Sequence, residues 1–173
     1  MRWPADLAPG ELRQPDRVSC GAASVLAARA LLTPWRPASP AEDIHEEHRL
    51  LTSSRSPRDR FQVPWPRRLG TPPWAVANAL RVLTGERIAT VHVRPRPVIG
   101  YEVLRESLAT RPVAVYVGSR WLPRHVVLAT GTAGEDAVEV FDPAAGAVLT
   151  IGRARWTEHR LGIAGWDFAW FVV

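Results

Sequence analysis

Hydrophobic and polar positions fall into two regimes along the chain. From Cys20 to Leu32 the run Cys-Gly-Ala-Ala-Ser-Val-Leu-Ala-Ala-Arg-Ala-Leu-Leu is almost wholly small or apolar. That predicts a buried helix, with Pro34 just past its end. Ser39-Pro40-Ala41-Glu42 reads as a capping box with proline at the first helical position, so a second helix is expected from about Pro40 to Leu51. Thr71-Pro72 repeats the cap-plus-proline signal. Val76, Leu80 and Leu83 then share one face of a third helix, Pro72 to Thr84, which Gly85 ends. Residues 1–18 are aperiodic and broken by proline, an extended leading segment. Residues 52–70 carry Ser, Arg and Pro without periodicity and predict a long surface loop, a kind that is usually functional or mobile.

The second half changes period. Arg87 to Val93 alternates as a strand and Tyr101 to Thr110 reads as a short helix. Strands are then expected at Pro112–Val117, His125–Thr130, Ala137–Phe141 and Ala147–Ile151, separated by glycine-bearing turns, with an apolar closing strand from Trp166 to Val173. Helices first and a mostly antiparallel sheet second make an α+β pattern, N-terminal helices packed on a C-terminal antiparallel sheet. No internal repeat is visible, and 173 residues suit a single domain, 1–173, with a real core.

Composition narrows the function classes. With 46% hydrophobic and 23% charged residues, wholesale disorder is excluded. No stretch approaches the roughly 20 apolar residues of a membrane-spanning helix. The N-terminus lacks the charged-then-apolar run of a signal peptide, so a cytoplasmic location is expected. Cys20 is the only cysteine, which excludes an intramolecular disulfide. The formal net charge is +5, yet all 22 basic residues are arginine, which reads as coding bias of a GC-rich genome. Only Arg55, Arg58, Arg60, Arg67 and Arg68 form a dense run, and aromatic residues do not interleave with basic ones on any strand platform. Nucleic acid is therefore not the expected partner.

Candidate chemistry starts at Cys20, where the first helix begins. The unpaired N–H groups and the dipole of a helix N-terminus favour a thiolate there, and Gly21 would let a substrate backbone approach closely. The bland alternative is a small buried hydrophobe. A thiol nucleophile needs a base. His45 and His48 sit among Glu42, Asp43, Glu46 and Glu47. They could make half a metal site, but no matching ligand pair exists elsewhere, so a solvated charged helix is expected. His92 lies between two valines and His159 in an irregular polar stretch. His125 differs, because it opens the apolar run Val126-Val127-Leu128-Ala129 and a strand end would hold its ring rigidly. Asp142 ends the next strand, and in an antiparallel pair the end of one strand lies beside the start of the previous one. Asp142 is thus placed to hydrogen-bond the ring and fix its tautomer, or simply to initiate an Asp-Pro turn with Pro143; both can hold. Gln14, six residues before Cys20, is a candidate to donate to an oxyanion beside the Cys20 N–H.

Gln14, Ser19-Cys20-Gly21-Ala22-Ala23-Ser24, His125-Val126-Val127-Leu128 and Asp142-Pro143 with Gly146 together resemble the papain-like cysteine peptidases, and among them the peptidase C39-like group. Gly70-Thr71-Pro72-Pro73 and Arg111-Pro112-Val113-Ala114-Val115 are also similar, so the resemblance spans most of the chain. Val126 departs from it, standing where relatives often carry an aromatic residue. The resemblance implies a papain-like fold with Cys20 as nucleophile, His125 as general base and acid, Asp142 as the orienting residue and Gln14 as an oxyanion donor. It implies a hydrolase acting on a peptide or amide bond of a peptide or protein substrate, with no metal and no organic cofactor. The alternatives are a thiol acyltransferase or deamidase on the same fold, or an inactive papain-like domain that binds a peptide or protein partner. The eight tryptophans would suit the last, with Trp65, Trp74 and Trp121 near the loops that should border the cleft.

Overall fold

The computed structural model describes residues 1–173. Alternating branched residues in the second half form β2 (Val113–Gly118), β3 (Pro123–Thr132), β4 (Ala137–Asp142), β5 (Ala147–Gly152) and β6 (Phe168–Val172), joined by a short β1 (Val91–His92). They make one six-stranded sheet in the order β1-β6-β2-β3-β4-β5, with every neighbouring pair antiparallel. The C-terminal strand inserts between β1 and β2, so β2 is central and all its residues are buried.

Period-2 alternation gives the sheet two apolar faces. Ala114, Tyr116, Val126, Leu128 and Phe141 pack with the N-terminal helices α1 (Cys20–Leu32), α2 (Pro40–Leu51) and α3 (Pro73–Thr84). Val113, Val115, Val127, Ala129 and Val140 face the other way, onto α4 (Pro97–Leu108) and α5 (Arg153–Thr157). The α+β pattern stands, but the helices occupy both faces of the sheet and not the N-terminal side alone. No helix is long and apolar enough to cross a membrane.

Several boundaries moved for identifiable reasons. Ser39 precedes α2 but makes no side-chain cap; Asp43, and not Glu42, reaches back from the helix to accept the N–H groups of Ala38 and Ser39 at 3.0 and 3.2 Å. The third helix starts at Pro73, because the Thr71 hydroxyl is engaged elsewhere. Gly85 ends it in the left-handed conformation (φ 74°), as its position predicts. The strand expected over Arg87–Val93 shrinks to Val91–His92, since Arg81 of α3 binds the Ile88 carbonyl that a strand partner would need. The fourth helix begins at Pro97, four residues before its expected start, with proline again in the first turn. A turn of 3₁₀ helix, Pro9–Leu12, interrupts the leading segment, and α5 was not expected.

The 52–70 loop is exposed but anchored. Gln62, 4% exposed, donates to the carbonyls of Leu51 and Ser53 at 3.3 and 3.2 Å and accepts from Asn78 of α3 at 3.1 Å. Trp65 meets Trp74 edge to face at 5.2 Å, and the Trp74 indole donates to the Val63 carbonyl. Two of the tryptophans expected at the cleft thus pin the loop to α3. Gln62→Ala should lower stability by about 1–3 kcal/mol in urea denaturation, because it strips partners from buried polar groups. It should also speed tryptic cleavage after Arg55, Arg58 and Arg60, read by mass spectrometry.

Candidate active site

The geometry begins with α1, whose alanines Ala22, Ala23, Ala27 and Ala28 are all buried. Small side chains let the helix lie close to the sheet, and Ser24 ties it there by donating to the Val126 carbonyl at 3.3 Å. Cys20 is the first residue of α1, is 4% exposed and belongs to the core on that face. It is more enclosed than a nucleophile at a helix start would suggest. Its backbone N–H has no partner, as for any N–H of a first helical turn.

His125 is the third residue of β3 and not its first, and it is buried. Asp142 is the last residue of β4, also buried. The His125 Nε2 lies 2.7 Å from Asp142 Oδ1. The same oxygen accepts the Ala144 N–H at 2.9 Å, and the Asp142 carbonyl accepts the Gly146 N–H at 2.8 Å. The Asp-Pro turn and the contact to histidine therefore coexist. With Nε2 committed to the carboxylate, Nδ1 is the ring nitrogen left for other partners.

Charge follows from this arrangement. Burial is the largest influence on His125 and pushes its pKa down; the hydrogen bond to Asp142, then the proximity and charge of Cys20, outweigh it and raise the imidazole to about 9. Cys20 and the ring are therefore neighbours, although no aligned hydrogen bond joins them at rest. Burial likewise works against the Asp142 charge, and His125 with the turn amides of Ala144 and Ala145 holds the carboxyl below its ordinary value. Asp142 and Cys20 thus both hold the buried imidazole towards its charged form.

Gln14 reaches this region through the leading segment. Its backbone N–H donates to the Pro143 carbonyl at 2.9 Å, and the neighbouring Arg13 donates to the Ala144 carbonyl at 3.1 Å. A Cβ at Gly146, whose φ is 65°, would stand 3.1 Å from Gly10 Cα, so glycine allows the segment to seat on the turn. The Gln14 side-chain amide donates to the Asp16 carbonyl at 2.6 Å, and its oxygen is buried without a partner. It makes no hydrogen bond to Cys20; one of its two N–H groups remains for an incoming oxygen.

Other residues hold the N-terminus of α1 and were not singled out in the sequence. Asp16 accepts the N–H groups of Val18 and Ser19 at 2.8 and 2.9 Å through one oxygen and meets His45 at 3.1 Å through the other. The signal is an aspartate four residues before the first residue of a helix, within reach of the two backbone N–H groups that precede it. Thr71 packs so close to Gly21 that a Cβ there would stand 2.6 Å from Thr71 Cβ. The missing side chain of Gly21 thus admits Thr71, where a substrate backbone was expected. The Thr71 carbonyl accepts the Tyr116 hydroxyl at 2.9 Å. Its own hydroxyl meets His48 Nδ1 at 3.3 Å, while His48 Nε2 donates to the Arg67 carbonyl at 3.2 Å. His48 is therefore a buried strut and not part of a solvated face.

The remaining candidates lie in other contacts. His92 stacks on Trp170 and His159 on Phe168. Arg94 lies 4.8 Å over the Trp170 ring and 5.5 Å over Phe168, so the fold does interleave basic and aromatic groups that are separated in sequence. Those ring faces are occupied by the chain's own arginine. Trp121 is 70% exposed with Arg120 across its ring. No group of three or more His, Cys, Asp or Glu side chains is arranged to hold a metal. No protein-family model matches the chain, and no curated protein sequence matches it significantly.

Two measurements check this geometry. The His125 titration midpoint, followed by imidazole NMR, should lie well above the ordinary value of about 6.5, fall in Cys20→Ala and fall further in Asp142→Asn. Because the folded pKa is raised, this histidine stabilises the fold fully below about 6.5 and loses that contribution as pH rises through about 9. Separately, Gly21→Ala should cost about 1–3 kcal/mol in urea denaturation, since Thr71 must be displaced.

Proposed function

We propose that the chain is a papain-like cysteine hydrolase that cleaves a peptide or amide bond. The observation that carries this reading is the buried 2.7 Å bond between His125 and Asp142, with Cys20 as the other group raising the ring's pKa. The arrangement supports a papain-like fold in the same sense: the thiol begins a buried helix, and the imidazole and carboxylate stand on adjacent strands beneath it.

In this reading the Cys20 thiolate adds to the substrate carbonyl carbon. The resulting oxyanion takes the Cys20 N–H and the free N–H of Gln14. Collapse breaks the C–N bond as the His125 imidazolium passes its proton to the leaving amine, giving a thioester. Neutral His125 then takes a proton from water, which attacks the thioester and releases the acid and the thiol. Asp142 keeps the ring oriented and stabilises its charge through both steps. An amine or thiol in place of water would give acyl transfer with the same residues, and the surrounding loops choose among such substrates.

The test is alkylation of Cys20 by iodoacetamide across pH, followed by turnover of a peptide and amide panel. Wild-type protein should react at neutral pH faster than a free cysteine, and His125→Ala should lose that advantage. Equal rates would mean a structural thiol. Cys20→Ala should abolish turnover at a stability loss on the order of 1 kcal/mol, the side chain being small but buried. His125→Ala should abolish it too, and Asp142→Asn should lower kcat by at least about tenfold without eliminating it.

A further inference from the structure

A cavity lies toward the opposite end of α1 from the cysteine. About 850 Å³ opens between the C-terminal half of α1, α2, α3 and the 55–59 segment of the loop. Arg29 on its rim is nine residues from Cys20, about 14 Å along the helix. The volume falls within the roughly 300–1,000 Å³ of small-molecule sites. Its walls are Val25 of α1, Leu50 of α2, and Val82 and Leu83 of α3, with Trp35 beside them. Leu50 and Val82 are 43% and 39% exposed, so these apolar side chains face the opening without cover from the chain.

The polar equipment is sparse. The Arg29 guanidinium lies 4.9 Å over the Trp35 ring, which orients it. It forms no ion pair, whereas Arg55 and Asp59 on the loop side neutralise each other at 2.8 Å. Glu47 of α2 also lines the cavity and has no hydrogen-bond partner in the chain. A planar, always-charged fork with free donors beside apolar walls matches a carboxylate.

We propose that this cavity binds an amphipathic organic acid, its carboxylate on Arg29 and its apolar body between α1, α2 and α3. Glu47 tunes the site. Burial raises its carboxyl to about 7, with Arg29 opposing the shift and Glu46 adding to it. The other charged groups around the cavity are the Arg55–Asp59 pair; α3 contributes only apolar side chains. Below about pH 7 Glu47 is a neutral donor beside the ligand carboxylate, and above it a repelling charge. The proposal does not depend on the hydrolase reading.

The experiment titrates octanoate, with octylamine as the cationic control, into the full chain carrying Cys20→Ala. Calorimetry reads the affinity and the Trp35 indole resonance reads the location. Octanoate should bind more tightly than octylamine and shift Trp35. Its affinity should fall as pH rises through about 7, and Glu47→Gln should remove that pH dependence while keeping the acid-side affinity. Arg29→Gln should weaken octanoate by about tenfold or more. Preference for octylamine, an unmoved Trp35 resonance, absence of saturable octanoate binding, or an unaffected Arg29→Gln variant would each overturn the proposal. Should Arg29→Gln fail to fold, the Glu47→Gln profile and the amine control still decide.

Discussion

The close seating of α1 on the sheet is the constraint from which the rest of the structure follows. A helix of alanines with ten of its thirteen residues buried can approach β3 far more closely than one of leucines. That approach puts the Ser24 hydroxyl on the Val126 carbonyl and brings the first turn of the helix to the histidine end of the same strand. It also leaves no room at Gly21 for anything but the Thr71 side chain. A bulkier α1 would lift the thiol from the imidazole and remove the support on which Thr71, Tyr116 and His48 are stacked.

Against this apolar background, the buried polar groups form a connected set. Asp142 joins His125 to the turn amides, that turn seats the leading segment, and the leading segment carries Gln14 and Asp16 to the start of α1. Removing one partner of such a buried charged pair is strongly destabilising, because it leaves a desolvated charge behind. The linkage has an opposite sign at each end of the pH scale. Asp142, with its pKa lowered, contributes above its unfolded value and is lost as pH falls; His125 contributes at low pH and is lost as pH rises through about 9.

The two ends of α1 present different chemistry for the same reason. At its N-terminus the helix meets the sheet edge, where strand ends deliver fixed polar side chains. Toward its C-terminus it packs against α2 and α3, whose faces deliver apolar walls with Arg29 and Glu47 among them. The 52–70 loop spans both regions: its Arg55–Asp59 segment rims the cavity, and its far end leads through Gly70 to Thr71.

Local pattern sufficed for the helices, most strands and the α+β class, because a stretch of alanines, a proline at a first turn or a glycine at a helix end acts through its own few neighbours. It also placed Asp142 beside His125, since antiparallel pairing converts sequence order into spatial adjacency. What only the tertiary structure decided are the contacts that sequence separation hides. Arg81 took the Ile88 carbonyl and shortened the first strand, Asp43 and not Glu42 reached back to the residues before α2, and α4 with α5 went to the far face of the sheet. Gly21 met Thr71, His48 turned inward, and Arg94 found Trp170 across the fold. Each is a competition among partners brought together by chain folding, and the winner depends on distances that no local pattern contains.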